Sequence, residues 1–157
     1  MRELTVREEP FTSSGALSIY YAAIDELTRR YRGDDDEFRI EATELLPPRG
    51  FFVVARRGSH PVGGVGVRSI VDPVFALGEV KRLWVRPDQR RLGVADALLA
   101  FAQQRARQLG YRELYLETGD AQPEAQALYR KTGWRPVTDF PDGAFSYPTA
   151  VRFAKTL

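Results

Sequence analysis

The sequence predicts one α/β domain: a mixed, mostly antiparallel sheet with a parallel βαβ pair at its centre and helices on both faces. Three observations carry this prediction. Apolar residues switch repeatedly between a strand period and a helical period. The segment from Glu79 to Glu117 reads as strand, glycine-containing turn, helix and strand, which makes its two strands parallel neighbours. The 157 residues suit one core, because a chain of this size buries roughly two-thirds of the surface it exposes when unfolded. A single domain over residues 1–157 is therefore expected, without repeats or linkers.

The elements follow in order. Leu4 to Arg7 reads as a short strand. Ala16, Ile19, Tyr20, Ala23, Ile24, Leu27 and Tyr31 then recur at helical spacing behind Ser13 and Ser14, either of which can cap the helix. Gly33 and the acidic run Asp34 to Glu37 end it, and a helical turn leads on to Pro47-Pro48. Tyr20 and Tyr21 are adjacent on the helix and cannot share a face, so one is expected in the core and the other toward an acceptor pocket. Phe51 to Ala55 is a strand by its aromatic and β-branched content. Gly58-Ser59-His60-Pro61 is turn chemistry, and Val62 to Ile70 completes a hairpin. Glycines at 63, 64 and 66 predict a bulge or a close approach of other backbone or of a ligand. Glu79 to Val85 is the next strand, stopped by Pro87. From Leu92, the positions Ala95, Leu98, Leu99, Ala102, Ala106 and Leu109 mark a helical face ending at Gly110. Leu114 to Glu117 is the parallel partner strand. Pro123 opens a last helix running to Gly133, and Trp134 to Val137 and Val151 to Phe153 supply closing strands.

Composition excludes several function classes. Zero cysteines remove disulfides, thiolate metal sites and a cysteine nucleophile together. The single histidine, His60, lies in a turn sequence, so neither a triad nor a multi-histidine metal site is expected. Twenty-three basic against 21 acidic residues give a net charge of +2, too even for a nucleic-acid partner by composition. The apolar runs fall short of the ~20 residues a membrane helix needs, and the opening residues lack a secretory pattern, so a cytoplasmic, membrane-free protein is expected. The distribution of charge says more. Arg82, Arg86, Arg90 and Arg91 crowd one stretch, while Asp34 to Glu37 form an acidic one that reads as a solvated loop.

That arginine stretch carries the chemistry. Val85 to Ala95 leads a strand into a helix whose first amides have no intrahelical acceptor, and small residues at 93 and 95 admit a ligand to the backbone, an arrangement that attracts phosphate. Arg90-x-x-Gly93-x-Ala95 resembles the R/Q-x-x-G-x-G/A motif of the GCN5-related N-acetyltransferases (GNAT). Glu79 to Pro87 is similar to the fourth strand of that family, and Ala127-Leu128-Tyr129-Arg130-Lys131-Thr132-Gly133-Trp134 to its closing helix-to-strand segment. The resemblance implies acetyl-CoA as co-substrate and no metal. Backbone amides of Arg90, Arg91, Leu92, Gly93, Val94, Ala95 and Asp96 would cradle the pyrophosphate, and Leu83, Trp84 and Val85 would pair with the pantetheine arm. Gln122 stands where the family often has asparagine. Arg90 and Arg91 can add charge-assisted hydrogen bonds to phosphate oxygens.

Acetyl transfer to a primary amine needs a proton acceptor, because an ammonium of pKa near ~10 has no lone pair. Glu79, fourteen residues before Gly93, is the candidate base. Six residues of strand separate it from Val85, about 20 Å at 3.3 Å per residue, the order of an extended pantetheine arm. An ion pair with Lys81 or Arg82 is the alternative reading of the same carboxylate. Tyr129 corresponds to the tyrosine that often protonates the departing thiolate in this family. The implied reaction is direct transfer in a ternary complex to a small-molecule or peptide amine. A non-catalytic acyl-CoA sensor is the alternative function. A homodimer, common among relatives, stays open.

Overall fold

The computed structural model describes residues 1–32, 40–70, 76–141 and 149–157. Strands β1 (Leu4–Glu9), β2 (Phe51–Arg57), β3 (His60–Ser69), β4 (Leu77–Val85), β5 (Glu113–Thr118), β6 (Arg135–Val137) and β7 (Val151–Thr156) form one sheet in the order β1-β2-β3-β4-β5-β7-β6. Neighbours pair antiparallel except β4 with β5, the parallel pair across helix α2 (Val94–Gln108). Helices α1 (Ser14–Tyr31) and α3 (Pro123–Lys131) complete the fold.

The pleat of β2 explains why both faces are covered. Phe51, Val53 and Ala55 point into the core beneath α2, with Leu98, Leu99, Ala102 and Ala106, whereas Phe52 and Val54 point into a second core with Ile19, Tyr20 and Ile24 of α1. A strand buried on both sides reads as a continuous apolar run, as Phe51 to Ala55 does. Ser13 caps α1 by accepting the Ala16 amide at 3.1 Å, and Arg32 ends it in the left-handed conformation, φ 50°. The expected stop at Gly33 and the acidic run Asp34 to Glu37 lie outside the described residues.

Several strands run a few residues longer than expected, and three turns and starts differ in kind. The hairpin turn is only Gly58-Ser59, because His60 and Pro61 already pair with Arg57 and Arg56 in β3. The expected helical turn before Pro47 is a short 3-10 turn, Ala42–Leu45. Helix α2 starts at Val94 rather than Leu92, because Gly93 takes a left-handed φ of 79° that a helix cannot contain. Tyr20 is the core tyrosine, its hydroxyl accepting the Ile40 amide at 2.7 Å, and Tyr21 is half exposed.

The glycines of β3 accompany a bulge and a close approach of neighbouring groups. A register shift between Gly64 and Gly66 sets one β3 residue against two of β4. On the α1 face, a Cβ at Gly64 would stand 2.9 Å from Ile19, Phe52 and the Val53 carbonyl oxygen. Helix α1 thus sits directly on the backbone of β3. Gly64→Ala should therefore destabilise the domain by about 1–3 kcal/mol, the usual cost of overpacking. Chemical denaturation measures it as a lowered midpoint with an unchanged slope.

Candidate active site

The site arises where the sheet comes apart. Strands β4 and β5 pair only at Leu77/Glu113, Gly78/Leu114 and Glu79/Tyr115, yet β4 continues to Val85 and β5 to Thr118. Beyond Glu79 their facing edges diverge. The bulge lies on this free stretch of β4, where Arg82 takes φ 56° and adds twist. A cavity of about 470 Å³ fills the opening. Val80 and Arg82 to Val85 form one wall, Glu117 and Thr118 the other, Gly93 to Asp96 one end, and Ala23, Glu26 and Leu27 of α1 part of the rim.

Gly93 caps α2 and leaves the amides of Val94, Ala95 and Asp96 without intrahelical acceptors; the first helical bond is Ala97 N–H to the Gly93 carbonyl at 3.1 Å. Nothing lies within 4 Å of a Cβ built on Gly93, so the helix end opens on free space. An anion there meets three backbone donors and the positive end of the helix dipole.

The adjacent Arg90 and Arg91 of the loop part company. Arg90 donates through Nε to the Val85 carbonyl at 2.8 Å and through Nη2 to Glu26 at 2.7 Å. It fastens the loop to the end of β4 and to α1. Arg91, exposed and with φ 63°, lines the cavity beside Gly93. On the far rim, Arg30 of α1 pairs with Glu124 of α3 at 2.5 Å and donates to the Ala121 carbonyl at 3.0 Å. Helix α1 is thus tied by ion pairs to both sides of the opening. Asp96 lies 3.9 Å from Lys131, a looser tie between α2 and α3.

Among the residues singled out from the sequence, Leu83, Trp84, Val85, Arg90, Arg91, Gly93, Val94, Ala95, Asp96, Gln122 and Tyr129 all line this cavity. Leu92 does not; it is exposed in the loop. Gln122 caps α3 without a side-chain bond to its amides, and its Nε2 lies 3.4 Å from the Tyr31 hydroxyl. Tyr129 is 6% exposed, its ring packed against Trp134 and Phe153. Burial raises its hydroxyl pKa far above the ordinary tyrosine value, so it keeps its proton at neutral pH and can donate.

Glu79 departs from the expected arrangement. It occupies the last paired position of β4, at the foot of the cleft, but it is fully buried and is not among the residues lining the cavity. Its Oε2 accepts from Arg68 Nε at 3.0 Å and Nη2 at 2.7 Å, and Lys81 Nζ stands 3.1 Å from Oε1. Arg68 also bonds Glu44 at 2.7 Å. The expected partner Lys81 is there, but the pair is internal rather than on the surface, and burial lowers the Lys81 pKa. Neither Arg68 nor Glu117 is apparent as a site residue in the sequence. The signal for Glu117 is a carboxylate at the end of an otherwise apolar parallel strand.

His60 is exposed at the start of β3, and no group of three or more potential metal-ligating residues occurs among the described residues. Among them, no helix is long and apolar enough to cross a membrane.

Solved structures share this architecture. An acetyltransferase of the GNAT family from Staphylococcus aureus superposes with TM-score 0.80 at 18% identity, covering 98% of this chain and 99% of that one. The PaiA N-acetyltransferase of Thermoplasma acidophilum, solved in complex with coenzyme A, superposes with TM-score 0.74 at 15% identity over 99% of both chains. The fold is thus that of the acyl-transferring α/β enzymes. In sequence, the IAA acetyltransferase of Azospirillum brasilense is 36% identical over 115 residues, 71% of this chain and 73% of that protein. N-acetyltransferase 8 of Homo sapiens is 37% identical over 86 residues, 54% of this chain but only 38% of that relative. The acetyltransferase (GNAT) family profile matches residues 17–134, and the chain belongs to that family.

The open space at Gly93 makes a direct test. Gly93→Glu should abolish coenzyme A binding in calorimetry while the domain stays folded. A Cβ at this position meets no neighbour, and its positive φ costs roughly 1–2 kcal/mol against a typical stability of about 5–15 kcal/mol. Unchanged affinity would move the cofactor site away from this helix end.

Proposed function

We propose that the protein transfers an acetyl group from acetyl-CoA to a primary amine by direct attack within a ternary complex. The observation that carries this reading is the parting of β4 from β5 above a helix N-terminus, in one continuous cavity that also holds Tyr129. The first amides of α2, with Arg91 beside them, suit a pyrophosphate in charge and in donor count. The free edge of β4 at Leu83 to Val85 offers backbone groups that an extended pantetheine amide chain can bond as an added strand would. Gln122, on the opposite side of the opening, can bond the same arm.

Tyr129 serves as proton donor to the thiolate that leaves when the carbon–sulfur bond breaks. Burial favours the protonated hydroxyl, and no bond from it to a described residue competes for that proton. With no cysteine in the sequence, direct transfer is favoured over an acetyl-enzyme. A cytoplasmic location agrees with the absence of cysteine, and the acceptor is a small amine or a peptide amine.

Release of free thiol from acetyl-CoA, screened against alkyl polyamines, amino acids and short peptides, tests the reading. Acceptor-dependent release supports it. Tight coenzyme A binding with no release in any pair would instead favour an acyl-CoA sensor. Tyr129→Phe should lower turnover by at least about 10-fold while leaving coenzyme A affinity nearly intact, because the hydroxyl acts on charge that develops only during transfer. Equal turnover in both proteins would return Tyr129 to a packing role.

A further inference from the structure

We propose that Glu26 of α1 is a positioning residue for the loop before α2, a carboxylate that strengthens coenzyme A binding although it stands on the wall of a site for a polyanion. The inference rests on the acetyl-CoA reading above.

Charge alone predicts the opposite. Glu26 lines the same cavity as Gly93 to Asp96, so its negative charge borders the space that the pyrophosphate would enter. Like charges set against each other oppose association. A second carboxylate, Glu124 of α3, lines the cavity as well. Both are held by arginines: Glu26 Oε1 accepts from Arg90 Nη2 at 2.7 Å, and Glu124 Oε1 from Arg30 Nη2 at 2.5 Å.

The first of these pairs acts on the loop. Arg90 also donates through Nε to the Val85 carbonyl at 2.8 Å, so its guanidinium is fixed at two points, the end of β4 and α1. Arg91 follows at φ 63°, a conformation that a residue other than glycine keeps only where its surroundings hold it. Two residues further on, Gly93 turns the chain into α2 at φ 79°. The amides of Val94, Ala95 and Asp96 therefore take their direction from a short, left-handed stretch whose preceding residue is anchored by Glu26. A loop ordered before its ligand arrives loses less freedom on binding.

The helix that supplies Glu26 is itself fixed. Arg30, one turn on, donates to the Ala121 carbonyl at 3.0 Å as well as pairing with Glu124, and its Nε lies 4.0 Å from Glu26 Oε2. The Tyr31 hydroxyl sits against Gly119, where no Cβ would fit. A chain of charges thus runs from Val85 through Arg90, Glu26 and Arg30 to Glu124. It joins the end of β4 to the start of α3 where β4 and β5 no longer bond each other. The Arg90–Glu26 pair is partly exposed, and such pairs add little to global stability. Its effect falls on the loop instead.

The test titrates coenzyme A calorimetrically into the parent, Glu26→Gln, Arg90→Met and the double variant. Titrations run at about 0.05 M and about 0.5 M salt, the second of which screens exposed charges. Glu26→Gln should weaken binding by at least about 3-fold at both salt concentrations, in the direction opposite to the removal of a repelling charge. The double variant should lose no more than Arg90→Met alone, because the two residues act through one contact. In the free Glu26→Gln protein, amide exchange should quicken at Arg90 to Gly93 while the thermal midpoint moves by no more than about 4 °C. Tighter or unchanged coenzyme A binding by Glu26→Gln overturns the proposal and makes Glu26 a competitor or a bystander. Additive losses in the double variant overturn it too. If the parent itself binds no coenzyme A, the acetyl-CoA reading falls and takes the role of Glu26 with it.

Discussion

Everything in this molecule depends on two parallel strands that pair for three residues and then separate. A strand edge within a sheet needs hydrogen-bond partners, because unmet backbone donors and acceptors shielded from water cost free energy. From Val80 to Val85, β4 keeps its partner β3 on one side and gives up β5 on the other. The fold thereby builds an unfinished sheet with room for an extended ligand. Helix α2 brings a second set of unmet donors to the end of the same gap. The two deficits lie next to each other because the loop between β4 and α2 is short.

The parting is stabilised from three directions. The bulge at Arg82 bends β4 away, made compatible with β3 by glycines that let α1 and the 3-10 turn pack directly on the sheet. Beneath it, the Glu79 cluster ties β4 to β3 with two cations on one buried carboxylate; such a cluster adds little net stability, but removing one partner is costly. Above it, Arg90 joins the loop to Val85 and Glu26, and Arg30 joins α1 to α3. A pyrophosphate would therefore meet a loop in which Arg90 is already committed to shaping it and Arg91 lines the cavity.

Local signals in the sequence announced the fold and the open helix end at Gly93. Strand, glycine turn and helix lie within one continuous segment, and Arg90, Gly93 and Ala95 carry their meaning in their spacing. The apolar run from Phe51 to Ala55 likewise announced a strand covered on both faces. What stayed hidden depends on contacts distant in sequence. That Arg90 would turn toward Glu26 requires α1 to lie over the loop, 64 positions away. Glu79 accepts from Arg68, a partner that only the β3–β4 register brings alongside. The left-handed Arg82 is invisible because arginine carries no signature for that conformation. Glu117 reads as an ordinary strand residue until the separation of β4 and β5 sets it on the cavity wall.

The central claim is that the gap between β4 and β5 is the binding site for the acyl donor. Amide hydrogen exchange with and without coenzyme A tests it most directly, since the claim concerns backbone groups. The account predicts slowed exchange on binding at Leu83 to Val85 and at Gly93 to Asp96, with β1 and β2 unaffected. Coenzyme A that binds while leaving both of those segments at their free rates would contradict it.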